Sequence, residues 1–134
     1  MSETHKKFEQ CKSLSTKLRS VSKRAFINAA AESEDSEVGS HGGEVIWCNN
    51  TIPMVESDPI HVQCAQRLVP TTKRWISAEW RLRGISITLV TVYPWSGEGM
   101  SNRNWEIFVQ LRHFLKASGI PFLIMADFNM TPQQ

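Results

Sequence analysis

The sequence predicts an α/β domain. Two segments rich in β-branched and aromatic residues, WISAEWRLR and ISITLVTVY, flank Gly84. An amphipathic stretch, WEIFVQLRHFLKAS, follows, and then a third apolar run, PFLIMADFN. Strand, helix and strand in that order make a βαβ unit. Its two strands are predicted to be parallel, because a helical crossover returns the chain to the same end of the sheet.

At 134 residues, with 41% apolar and 21% charged residues, the chain is long enough for one modest domain with a hydrophobic core. Its net charge of +2 is too small to identify a nucleic-acid partner by itself. No window approaches the roughly 18 consecutive apolar residues of a membrane span, so no membrane partner is expected. The opening MSETHKKFEQ lacks the apolar stretch of a secretion signal. Cys11, Cys48 and Cys64 are odd in number and share no metal-site spacing. They read as reduced thiols of an intracellular protein, cytoplasmic or nuclear.

From the start of the chain, KSLSTKLRSVSKR places Leu14, Leu18 and Val21 on one narrow apolar face of a helix, with Lys12, Lys17, Arg19, Lys23 and Arg24 around it. This basic surface is either simply solvated or an electrostatic contact for a phosphate backbone. AFINAA, residues 25–30, fits a short strand or a helix. Glu32, Glu34, Asp35, Glu37 and Glu44 then lie among glycines and serines. They read as an acidic surface loop, since the ordered ligand spacing of a calcium loop is missing. EVIWCN is a strand. NNTIPMVESDP is turn-rich, and Pro53 and Pro59 argue against a central strand there. HVQCAQRLV fits helix or strand.

In WISAEWRLR, Ile76, Ala78, Trp80 and Leu82 share one face, and Trp75, Ser77, Glu79, Arg81 and Arg83 the other, the pattern of a half-covered strand. Gly84 turns the chain, and ISITLVTVY returns as the second strand of an antiparallel hairpin. That strand becomes apolar on both faces at Leu89 and Val90, which fits a position inside a sheet. After the loop PWSGEGMSNRN, Trp105, Phe108, Leu111 and Leu115 form the apolar stripe of a helix, widened by Val109 and Phe114, with His113 off the stripe and exposed. Ser101 or Asn102 caps its start, and Gly119 and Pro121 end it.

The last strand carries the candidate chemistry. Leu123, Met125, Asp127 and Asn129 share one face, which puts Asp127 and Asn129 about 7 Å apart along the strand. They stand at the C-terminal end of a parallel strand, where ligands of open α/β sheets collect. A carboxylate there is a metal ligand or proton acceptor, and a neighbouring amide can donate to a phosphate oxygen or orient a water. The plainer alternative is that Asp127 caps a turn formed with Thr131 and Pro132. Tyr93 ends the preceding strand of the same unit, so it reaches the same rim. Its hydroxyl either bonds a phosphate or anchors the loop at Pro94.

These residues resemble the endonuclease/exonuclease/phosphatase superfamily of metal-dependent phosphoesterases, which includes abasic-site endonucleases and the endonuclease domains of non-long-terminal-repeat retroelements. VYPW at Val92–Trp95 is similar to the family's strand-end tyrosine motif. Residues Asn104–Ser118 match its crossover helix. MADFNMTP resembles its glycine–aspartate–phenylalanine–asparagine strand end, with Ala126 in place of the glycine, and HGGEVIWCNN is similar to its glycine-glycine strand. The resemblance spans roughly residues 41–134 and implies a four-layer α/β/β/α sandwich, of which this chain supplies roughly one sheet-and-helix half. Residues 1–40 then form a separate basic helical segment and acidic loop. The resemblance also implies roles. Asp127 positions or activates the attacking water, Asn129 contacts the scissile phosphate, and Tyr93 hydrogen-bonds a phosphate oxygen. Mg²⁺ or Mn²⁺ neutralises charge on the phosphoryl oxygens in complete relatives.

Departures from the family pattern imply an incomplete domain. Nothing in residues 1–40 matches the family's metal-binding glutamate, since Glu32, Glu34 and Glu37 occur in a loop-like acidic run and not behind a convincing strand. The family's first asparagine is missing, and its closing aspartate–histidine pair has no counterpart, because the sequence stops five residues after Asn129. The expected function is therefore that of a phosphodiesterase-like fragment, inactive alone and without a tightly bound metal. The alternative is a non-catalytic module that binds nucleic acid, another phosphodiester or a protein. An uncovered sheet face further implies self-association or completion by another chain.

Overall fold

The computed structural model describes residues 8–21, 23–28, 31–32, 40–41 and 43–127. Within them, helix α1 (Phe8–Ser20) precedes strands β1 (Lys23–Asn28), β2 (Ala31–Glu32), β3 (Ser40–His41), β4 (Glu44–Asn49) and β5 (Met54–Glu56). Helix α2 (Pro59–Leu68), the hairpin β6 (Trp75–Leu82) and β7 (Ile85–Val92), helix α3 (Asn102–Ser118) and β8 (Phe122–Ala126) follow. The protein has a mixed α/β fold. One sheet has the order β5-β6-β7-β8, β1 pairs with β4, and β2 pairs with β3.

Register decides which side chains meet. In the antiparallel hairpin, Trp75 lies opposite Val92, Ile76 opposite Thr91 and Ala78 opposite Leu89. Gly84 makes the turn with φ of 76°, a conformation that favours glycine. β7 and β8 are parallel, as the crossover predicts, with Leu89 opposite Leu123 and Val92 opposite Ala126. One face of the sheet carries Trp75, Val90 and Val92 against Ile107, Leu111 and Phe114 of α3 and Ala65 of α2. The other presents Ile76, Ala78 and Leu89 to Phe26 of β1 and Ile46 and Cys48 of β4. The β1–β4 ribbon thus faces the sheet on one side, α2 and α3 cover the other, and α1 packs against β1.

Tertiary context settles the ambiguous segments. AFINAA contributes to strand β1, which the ladder from Lys23↔Asn49 to Asn28↔Glu44 ties to β4. HVQCAQRLV falls largely in α2, started by Pro59 and capped by Asp58, whose Oδ1 accepts from the Ile60 N–H at 2.9 Å. The turn-rich segment keeps only the three-residue β5, at the sheet edge, as its flanking prolines require.

Three side-chain expectations are corrected. β6 is covered on both faces over its first half: Trp75 and Ala78 are 0% exposed and Ser77 is 7% exposed. α3 lies on the face that looked solvated, and the Trp75 and Phe114 rings meet at 4.8 Å. Leu111 and Phe114 of α3 are buried as expected, but the rest of the buried stripe is Asn104, Ile107 and Gln110, whereas Trp105 is 59% exposed. Asn104 and Gln110 take inward positions because they satisfy buried polar groups: Gln110 Oε1 accepts from Trp75 Nε1 at 2.7 Å, and its amide donates to the Val69 and Thr71 carbonyls. His113 is half-buried rather than exposed.

β8 marks where the cover runs out. Phe122, Leu123 and Ile124 are 54%, 53% and 37% exposed on this edge strand. β1 and β4 pack against β6 and β7, so the inner face at Leu123 lies beyond them.

Candidate functional site

The β7–β8 ladder closes at Val92↔Ala126, so Tyr93 and Asp127 are the first residues beyond it on neighbouring parallel strands. Such strands lie roughly 5 Å apart. Val92 and Ala126 pack on the α3 side. Strand alternation therefore directs the next residues, Tyr93 and Asp127, toward the side occupied by the β1–β4 ribbon. Two of the three predicted site residues thus come to one rim, while Asn129 lies outside the described residues. Asp127 is exposed and Tyr93 half-buried.

Arg74 is the residue that builds this rim. The hairpin register places it beside Tyr93, and the two form a reciprocal clamp: the Tyr93 N–H donates to the Arg74 carbonyl at 3.0 Å, and Arg74 Nε donates to the Tyr93 carbonyl at 2.8 Å. The buried Arg74 guanidinium lies 5.2 Å from the Tyr93 ring centre and 3.9 Å from that of Trp95. A second guanidinium, from Arg103, lies 3.8 Å from the Trp95 ring centre and pairs with Glu98 at 3.4 Å. Cation–π contact holds this indole between strand and helix. Asn104, fully buried, pins the loop: Oδ1 accepts from the Trp95 N–H at 2.6 Å, and Nδ2 donates to the Trp95 and Gly99 carbonyls at 3.0 and 2.7 Å. The Tyr93 hydroxyl lies 3.3 Å from Ser96 Oγ, so it is near the loop and also at the rim.

Across the gap between the sheets, Glu44 corrects the acidic-loop expectation. It belongs to β4 and is 4% exposed, because pairing with Asn28 draws it into the ribbon. Asn28 Nδ2 donates to Glu44 Oε2 at 2.6 Å and to the Lys73 carbonyl at 3.1 Å, tying ribbon to sheet. Burial pushes the Glu44 carboxyl up to about 7, while the Asn28 hydrogen bond and the charges of Arg74 and Lys73 pull the other way. Glu44 Oε1 has no hydrogen-bond partner among the described residues. Burial likewise lowers Lys73, against the attraction of Glu44 and Glu56.

Asn28, Glu44, Lys73 and Arg74 escape a reading of the sequence alone. One signal for Arg74 was available: a hairpin turning at Gly84 pairs Trp75 with Val92 and so sets Arg74 against Tyr93. Among the described residues, no three or more His, Cys, Asp or Glu side chains gather into a cation-holding group. No helix among them is long and apolar enough to cross a membrane. No protein-family model matches the chain, and no curated protein matches it in sequence.

Proposed function

We propose that this rim is the phosphate-contacting corner of a phosphodiesterase-type domain of the endonuclease/exonuclease/phosphatase kind, and that the chain by itself binds phosphodiesters without cleaving them. The observation that carries the reading is the parallel β7–β8 ladder, which releases Tyr93 and Asp127 at one rim beside Arg74. Tyr93 donates its hydroxyl to a phosphate oxygen. Arg74 and Arg103 supply the positive field, and Asp127 accepts a hydrogen bond from water next to the phosphate.

Mg²⁺ sites in phosphate chemistry use one or two carboxylates plus substrate oxygens. The rim offers the exposed Asp127, whereas Glu44 is buried, hydrogen-bonded by Asn28 and near-neutral in its titration. These residues do not fit a resident cation, and the proposed binding runs without one.

Fluorescence anisotropy of a labelled oligonucleotide, at about 50 and about 200 mM salt, tests this reading. Binding is expected to weaken with salt and to weaken about fivefold in Tyr93→Phe, the worth of one hydrogen bond. Asp127→Ala is expected to leave metal-free binding intact. Affinity indifferent to both salt and Tyr93 would refute the rim. Mg²⁺-dependent cleavage lost in Asp127→Ala would refute inactivity while keeping the site.

A second reading, a protein-interaction module, draws on the exposed apolar edge at Phe122, Leu123 and Ile124. Salt-sensitive oligonucleotide binding that survives Tyr93→Phe would shift the nucleic-acid contact to the basic residues Lys17, Arg19, Lys23 and Arg24 and favour that module.

A further inference from the structure

The outer edge of β8 is open: among the described residues β8 pairs with β7 on one side and with no strand on the other. The ladder fixes which backbone groups that edge presents. The Thr88 N–H donates to the Pro121 carbonyl at 2.8 Å. A parallel ladder bonds a given neighbour through alternate residues, so Pro121, Leu123 and Met125 turn their backbone groups toward β7. Phe122 and Ile124 therefore turn their N–H and C=O groups outward, where a further strand would satisfy them. The side chains of the same two residues form one wall of a groove of about 440 Å³, and Phe108 and Leu115 of α3 stand on the other. Arg112 and Lys116, one helical turn apart on α3, also border the groove. Both are exposed, and neither has an ion-pair partner among the described residues.

Edge and groove together define the occupant. An open strand edge takes an extended chain, and alternate residues of that chain then fall on the α3 side, where the groove receives them. Two unpaired cations beside an apolar wall favour acidic residues flanking an apolar one. A second copy of this chain fits less well, because pairing β8 with itself about a two-fold axis sets the Arg112 and Lys116 of both copies together at the joint. We infer that β8 and α3 dock an extended segment of another protein. Its apolar residue seats between Phe122 and Ile124 on one side and Phe108 and Leu115 on the other, and acidic residues on the same face of that segment meet Arg112 and Lys116. The phosphodiester corner begins beyond Ala126, at the other end of β8, so either surface can fail without the other.

The probe is the peptide acetyl-TETITET-amide, whose side chains read the same in both directions and so suit either strand polarity; acetyl-TKTITKT-amide is its basic counterpart. Titrated into ¹⁵N-labelled protein, TETITET is expected to give saturable shifts at Phe122 and Ile124 and to slow amide exchange at both, since their N–H groups become bonded. TKTITKT is expected to bind about tenfold more weakly. The double variant Arg112→Glu, Lys116→Glu changes two exposed positions, so it is expected to keep the parent Tm and to reverse the preference between the peptides. Self-association of the parent chain through this edge is expected to disperse in saturating TETITET. No saturable shift at Phe122 and Ile124, unchanged amide exchange there, equal affinity for the two peptides, or a preference unmoved in the double variant would each overturn the proposal. Self-association that persists in saturating peptide would assign the edge to a second copy and overturn it too.

Discussion

Replacing Glu44 by glutamine removes a buried carboxyl whose protonation is linked to folding. In the folded chain its pKa is pushed from 4.5 up to about 7, chiefly by burial. A raised carboxyl pKa means that the folded state holds the proton more tightly than the unfolded state. Stability from this group is therefore full below pH 4.5 and is lost as pH rises toward 7. At about 1.4 kcal/mol per pH unit, the rise from 4.5 to about 7 corresponds to about 3 kcal/mol. The Asn28 amide can still bond a glutamine oxygen, so Glu44→Gln is expected to fold. Urea unfolding of both proteins from about pH 4.5 to about pH 8 gives a stability difference in which the other carboxylates cancel. That difference should move by about 3 kcal/mol in favour of Glu44→Gln as pH rises. Lys73 acts with the opposite sign: its lowered pKa restores stability as pH rises through its folded value, and a Lys73→Gln background separates the two. A flat difference, or one that favours the parent protein at high pH, would refute the buried, Asn28-held carboxyl.

Gln110→Leu should strand the Trp75 indole N–H and take a donor from the Thr71 carbonyl, while the Val69 carbonyl keeps the Thr71 N–H, lowering urea-unfolding stability by about 3 kcal/mol with an unchanged m-value. Asn104→Ala should cost about 2 kcal/mol and speed amide exchange across residues 95–99, because three hydrogen bonds that pin the Trp95 loop disappear. Leu123→Lys places a charge on the uncovered edge. Sedimentation velocity should show concentration-dependent association of the parent chain that this variant loses.

Backbone architecture is legible where one period dominates. The alternation in WISAEWRLR, the Gly84 turn and the capped α3 predict the hairpin and crossover, and the parallel register follows from their order. The facing of α3 is less legible, because ranking by hydrophobicity favours Trp105 over Asn104. Asn104 nevertheless goes inward, since the Trp95 backbone and the Gly99 carbonyl satisfy its amide. Glu44 misleads for a related reason: a carboxyl beside two glycines looks like loop until β1 pairs across it and Asn28 takes one oxygen. Tyr93 and Asp127 could be placed because they lie at the ends of predicted strands, although both ladders close one residue earlier, at Val92 and Ala126. Arg74, Lys73 and Asn28 join them only through pairing and packing between segments distant in sequence.

The phosphate corner is tested most directly by titrating ¹⁵N-labelled protein with a dinucleotide, without divalent metal, and following the Arg74, Tyr93 and Asp127 amides. All three are expected to shift together along one binding curve. Saturable shifts confined to other parts of the chain, or none at any concentration, would contradict it.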